Sequence, residues 1–223
     1  MSSFISHNRG LSYILALFIC LLLDIVTSGI LAFIGISHLA NVNQVIHLDD
    51  LLNLAMAISL CASLLCYLFA SQHAFRHALL ASAIISTTSI VLNVAGLLRT
   101  IIEQQLNPEL LLGAAVIVYI STVLVFTVWY WIMDNHGEEK MAGGNVVPPV
   151  LVFPQNTMAF PGYEGWTPGF IDYLFLSFHT STTVGPTETL VLSRTGKVVM
   201  MCQVSISLIV LIALATRAIG LLR

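Results

Sequence analysis

Charge is what this chain lacks most. Only 9% of its 223 residues are Asp, Glu, Lys or Arg, while 57% are hydrophobic. Domains folded in water carry about 25% charged residues. A chain so poor in charge cannot cover a water-facing surface. With a mean hydropathy of +0.93 it belongs to the membrane class. No run of Lys or Arg occurs, which sets nucleic-acid partners aside. The first three long apolar runs carry no Lys or Arg in their interiors, so a helix of gating charges is absent. No nucleophile elbow, phosphate loop, HExxH or CxxC is found, so neither an enzyme nor a resident metal or cofactor is expected. Cysteine is sparse. Cys20, Cys61, Cys66 and Cys202 all lie inside apolar runs and read as buried thiols acting as small hydrophobes.

What is present is length and apolarity. A helix needs about 20 mostly apolar residues to cross a bilayer. Leu11–Ile36, Leu51–Ala70, Leu79–Leu98, Leu110–Met133 and Val198–Thr216 all satisfy this. The first run is too long for a signal-peptide core and reads as a retained span. Runs this continuous exclude barrel strands. The predicted fold is an all-α integral membrane protein with five transmembrane helices embedded in a lipid bilayer. An odd number of spans puts the termini on opposite sides. Arg9, Arg76, Lys140, Arg194 and Lys197 would share one side, and Arg99, Arg217 and Arg223 the other, which favours a cytoplasmic N-terminus.

The connections are short until Met133. "SQHAFRHA" joins spans two and three, and "RTIIEQQLNPE" joins three and four. A long segment follows, Asp134 to Gly169. Six of the seven prolines lie between Pro148 and Pro186, which argues against any long helix before Pro168. After Pro168 the stretch "GFIDYLFLSFHT" is apolar but too short to span, and reads as a buried or re-entrant helix from about Phe170 to Thr180. The order is span, long loop, short helix, Thr/Gly-rich turn, span.

That turn carries the most specific pattern in the chain. Ser177-Phe178-His179-Thr180-Ser181-Thr182-Thr183-Val184-Gly185 resembles the pore helix and filter entry of tetrameric potassium channels, whose pattern is S-x-x-T-x-T-T-V-G-Y-G-D. Ser193-Arg194-Thr195-Gly196-Lys197 matches the T-x-x-G-R/K start of that family's inner helix without a gap. The resemblance runs from the fourth span to the C-terminus. It implies two regions: a three-helix N-terminal part, residues 1–106, and a pore module, residues 107–223. It also implies a homotetramer that conducts monovalent cations, K+ and Na+, because such loops replace the ion's water shell with rings of backbone carbonyls. The implied filter residues are Thr182, Thr183, Val184, Gly185, Pro186, Thr187 and Glu188, with His179, Ser177 and Thr180 supporting them. An extracellular filter needs the N-terminus outside, the reverse of what the Lys/Arg count favours. The whole chain also resembles bacterial five-span proteins whose last two helices flank such a loop, which implies a bacterial plasma membrane.

The second half of the loop departs from the family. Pro186-Thr187-Glu188 stands where Tyr-Gly-Asp is expected. Proline fixes φ and has no N–H, and the β-branched Thr187 resists positive φ. The outer two ion sites are then lost, while the inner two remain. The mouth would be wider and ringed by Glu188, giving a cation pore with weak or altered selectivity between K+ and Na+. Two alternatives stand beside this reading. One is a non-conducting scaffold of structural or regulatory role. The other is a small proton-coupled transporter that uses Asp24, an acid in mid-span whose plausible partner is Asn93 or a Ser or Thr of a neighbouring helix. His179 is either a proton sensor or a hydrogen-bonding support of the loop. Asp49-Asp50 reads as a helix N-cap, Trp129-Tyr130-Trp131 as an interfacial belt, and His73 and His77 as a solvated pair. The last span has no glycine before Gly220, leaving Ser205 and Ser207 as its small mid-helix residues.

Overall fold

Inside a bilayer the backbone has no water to bond, so an apolar segment closes its hydrogen bonds within itself as a helix. The computed structural model describes residues 2–36, 42–69, 72–102, 108–142, 149–157, 161–182 and 188–221. The elements are α1 (Ser2–Ile36), α2 (Val42–Phe69), α3 (Gln72–Ile102), α4 (Pro108–Ala142), β1 (Leu151–Val152), α5 (Pro154–Thr157), α6 (Phe170–Thr182), β2 (Leu190–Val191) and α7 (Arg194–Leu221). Five of the helices are long and apolar enough to cross a membrane, over Gly10–Leu31, Asp50–Phe69, His73–Ile102, Glu109–Asp134 and Arg194–Ile219. They are the five spans expected from hydropathy.

Several boundaries differ from expectation. Helix α3 begins at Gln72, so most of "SQHAFRHA" is helical. His73 and His77 are exposed one turn apart, and His77 Nδ1 lies 2.7 Å from the His73 carbonyl oxygen. Helix α2 begins at Val42, so Asp50 sits inside the helix and caps nothing. Helix α4 continues past Met133 to Ala142 through "DNHGEEKMA", whose Glu, Lys, Met and Ala are strong helix formers. The breaker pair Gly143-Gly144 follows directly. Cys61 and Cys202 are exposed and all four thiols are free. A thiol that behaves as a small hydrophobe suits lipid as well as a protein core.

Helix α4 is the hub. It packs against α1, α3, α6 and α7, and 61% of its span is buried, against 17% for α2 and 22% for α7. Its Trp129-Tyr130-Trp131 triplet is not a lipid-facing belt. Successive residues on a helix point about 100° apart, since 3.6 residues make a turn. Each ring therefore meets a different neighbour. Trp129 Nε1 donates to Thr87 Oγ1 on α3 at 2.9 Å. Tyr130 is fully buried and donates to Gln203 Oε1 on α7 at 2.6 Å. Trp131 stacks on Tyr13 of α1 with ring centroids 4.3 Å apart. Tyr13 also meets Phe170 edge-on at 5.4 Å and Tyr173 at 6.4 Å. The first three helices and the C-terminal module thus share one aromatic core.

A short antiparallel ladder closes the region around α6. Leu151 pairs with Val191 and Val152 with Leu190, and Leu192 N donates to the Val150 carbonyl at 3.0 Å. The chain that leaves α6 therefore returns beside the chain that approached it. Helix α7 starts at once. Ser193 is its N-cap, accepting the Gly196 N–H on Oγ at 2.9 Å. Gly196 packs directly under the ladder. A Cβ there would lie 2.7 Å from Val191 Cγ1 and 2.9 Å from Ser193 Oγ. That close approach explains the glycine of "SRTGK". Gly196→Ala should cost about 1–3 kcal/mol through overpacking. Its thermal midpoint in detergent should fall below wild type, and an unchanged midpoint would show that the ladder gives way freely.

Candidate functional site

Helix α6 has 13 residues, too few to cross a membrane, and it lies against both α4 and α7. Its start is fixed by sequence. Pro168 ends the preceding extended stretch, and Asp172 reaches back from the first turn so that Gly169 N donates to its Oδ2 at 2.7 Å. The acid also suits the positive end of the helix dipole. Tyr173, one residue on, donates to Asp134 Oδ2 at 2.7 Å. Asp134 ends the α4 span and also accepts a backbone hydrogen bond from Leu151 of β1. The base of α6 is thus tied to α4 and, through Asp134, to β1.

A second tie holds the middle and the far end. Gln203, fully buried on α7, aims its amide at α6. Its Nε2 donates to the Ser177 carbonyl at 2.8 Å, to Ser177 Oγ at 2.9 Å and to Ser181 Oγ at 2.7 Å. Two amide protons are shared among three acceptors. Gln203 Oε1 accepts from Tyr130 of α4, and Ser177 Oγ donates to the Val123 carbonyl of α4 at 2.7 Å. Every member of this network is buried, and together they clamp α6 between the two long helices.

The residues expected to support the loop are placed by this clamp. Ser177 sits at its centre. Thr180 is buried beside Tyr130, its hydroxyl donating to the Leu176 carbonyl at 2.8 Å. His179 turns to the other side, its ring tilted against Phe175 at 5.0 Å, and its buried Nδ1 has no hydrogen-bond partner among the described residues. Thr182, the last residue of α6, donates to the His179 carbonyl at 2.9 Å. Thr183, Val184, Gly185, Pro186 and Thr187 lie outside the described residues. Glu188 is exposed and Thr189 is buried. The negative end of the α6 dipole lies at Thr182, where that segment begins.

Sequence reasoning did not single out Gln203, Ser181, Asp134 or Tyr173. Gln203 carried a readable signal. A lone amide in "MMCQVSIS" inside an apolar span needs a partner on a neighbouring helix. Asp24 showed that same signal and was read from it. It is buried on α1, and both Ser89 Oγ, at 2.6 Å, and Asn93 Nδ2 of α3 donate to it. Asp24 joins α1 to α3, whereas Gln203 joins α7 to α4 and α6. Among the described residues no group of three or more His, Cys, Asp or Glu side chains is arranged to hold a metal ion.

The clamp makes a graded prediction. Gln203→Leu strips the partner from Tyr130, Ser177 and Ser181 at once, and should cost about 1–3 kcal/mol. Tyr130→Phe removes one bond and should cost about 0.6 kcal/mol, the usual size inside a membrane bundle. Thermal midpoints of the two purified variants should rank in that order, and Gln203→Leu as stable as wild type would remove the clamp from the account. No protein-family model, curated protein or solved structure matches the chain, so its functional reading rests on this geometry and on the sequence pattern.

Proposed function

We propose that four copies of this chain surround one axis and conduct monovalent cations, K+ and Na+, passively through the segment "TTVGPTE", Thr182 to Glu188. The observation that carries the proposal is the setting of that segment. A helix too short to span is clamped between the last two spanning helices by Gln203 and ends at Thr182. The chain then continues into T-V-G, the residue types that let backbone carbonyls replace an ion's hydration shell.

In this reading α6 is a re-entrant pore helix and α7 the inner helix. Thr183 supplies the innermost hydroxyl ring, and the carbonyls of Thr183 and Val184 supply the next rings. Gly185 turns the backbone with a φ that other residues avoid. Pro186 and Thr187 widen the mouth, so K+ and Na+ pass within a small factor of each other. Glu188, exposed at the exit of the loop, raises the local cation concentration. The same Pro186 and Thr187 favour the second reading, a filter that has closed and left a non-conducting scaffold. The resemblance to bacterial five-span proteins supports a place in a bacterial plasma membrane.

The test is flux from liposomes holding the purified protein, with K+ and Na+ gradients applied separately. Thr183→Cys should make that flux sensitive to a thiol blocker. Wild type is the control, because Cys61 and Cys202 are exposed. Glu188→Gln should lower flux by roughly tenfold or less at low salt, with the difference shrinking as salt screens the ring. No flux from folded tetramers at any voltage or pH supports the closed scaffold. Saturable proton-coupled flux that is lost in Asp24→Asn instead supports a transporter.

A further inference from the structure

Beside Asp24 lies a cavity of about 10 Å³. That is close to the room one water needs. Six polar side chains line it: Asp24, Thr27, Ser86, Ser89, Asn93 and Ser121, from α1, α3 and α4. Among the described residues the lining holds no Lys, Arg or His. An intramembrane carboxylate normally meets a cation or a relay partner. Here its two protein partners, Ser89 and Asn93, are both neutral donors. Neither brings a positive charge to it.

Three of the four hydroxyl protons in this cavity are already committed. Ser89 donates to Asp24. Thr27 Oγ1 donates to the Leu23 carbonyl at 2.9 Å. Ser86 Oγ donates to the Ser82 carbonyl at 2.8 Å and toward Met56 Sδ at 3.4 Å. A hydroxyl has one proton and two lone pairs, so what Thr27 and Ser86 offer the cavity is oxygen acceptor capacity. Carboxylate and hydroxyl oxygens are hard ligands. A single carboxylate balances a single positive charge, whereas divalent sites gather several carboxylates.

We infer that this cavity binds one Na+-sized monovalent cation per chain, held by the Asp24 carboxylate and the hydroxyl oxygens of Thr27, Ser86 and Ser121. The site is separate from the proposed filter and does not need the pore reading. A filter site would sit on an axis shared by four chains, whereas this one belongs to each chain and joins α1, α3 and α4 from within.

The experiment is equilibrium binding of radioactive Na+ to the purified full-length protein in nanodiscs, at fixed pH, with choline holding ionic strength constant. Wild type should bind one Na+ per chain at this site, beyond any ion shared at the axis. Asp24→Asn should lose that one equivalent while keeping any axial ion. Ser86→Ala/Ser121→Ala keeps the acid and should weaken Na+ binding at least tenfold. Asp24→Asn that is folded and binds as much Na+ per chain as wild type overturns the inference. If Asp24→Asn does not fold, the serine double variant decides: Na+ binding unchanged from wild type overturns the inference just as firmly. Absence of ion flux from the wild type with the per-chain Na+ equivalent intact would count against the pore reading alone.

Discussion

A polar side chain inside a lipid-embedded bundle has no water to fall back on. Everything specific about this chain follows from where those side chains find partners. An apolar helix slides and rotates against another at little cost, because lipid tails are as apolar as Leu. Gln203 does not allow that. Its amide fixes the rotation of α7, the depth of α6 and the face of α4 in one network. Asp24 does the same for α1 and α3. Between these two anchors lies α4, which packs against α1, α3, α6 and α7.

The packing around α4 explains why the chain has so few polar residues and why they are so placed. A seam of hydroxyls joins α2 to α3: Ser82 Oγ donates to Ser59 Oγ at 2.9 Å, and Ser63 Oγ lies 3.4 Å from Ser82 Oγ. Thr87 receives Trp129, and Arg76 reaches the Ile132 carbonyl at 3.3 Å. These small residues let helices approach closely while supplying the directional bonds that apolar contact lacks. Helix α2, with the least buried span, packs on α3 and α1 through Met56 and Leu60 and presents Leu51, Leu54, Ile58 and Leu65 outward.

Much of this was legible in the sequence. Five spans were readable because 20 apolar residues in a row leave a chain no other economical structure. The short helix after Pro168 was readable from its length and its proline, and the structure extends it to Thr182. The pairing of Asp24 with Asn93 was legible because an acid in mid-span demands a donor. The helix ends were not. Val42 and Gln72 start helices inside polar stretches that hydropathy treats as connections, since a helix does not stop where the bilayer does. The Trp129-Tyr130-Trp131 triplet was misleading for a different reason. Hydropathy places rings at a depth but says nothing of rotation, and three successive rings cannot share one face. Gln203 was overlooked although it obeyed the rule that exposed Asp24.

The stack of Tyr13 on Trp131 has a mechanical consequence. Tyr13 belongs to α1, Trp131 to α4, and Phe170 and Tyr173, which meet Tyr13 edge-on, to α6. Tyr173 in turn holds Asp134. A displacement of the first helix along its axis must therefore break an aromatic stack or carry the base of α6 with it. The N-terminal helices are geared to the short helix, and whatever moves them is felt at its first turn.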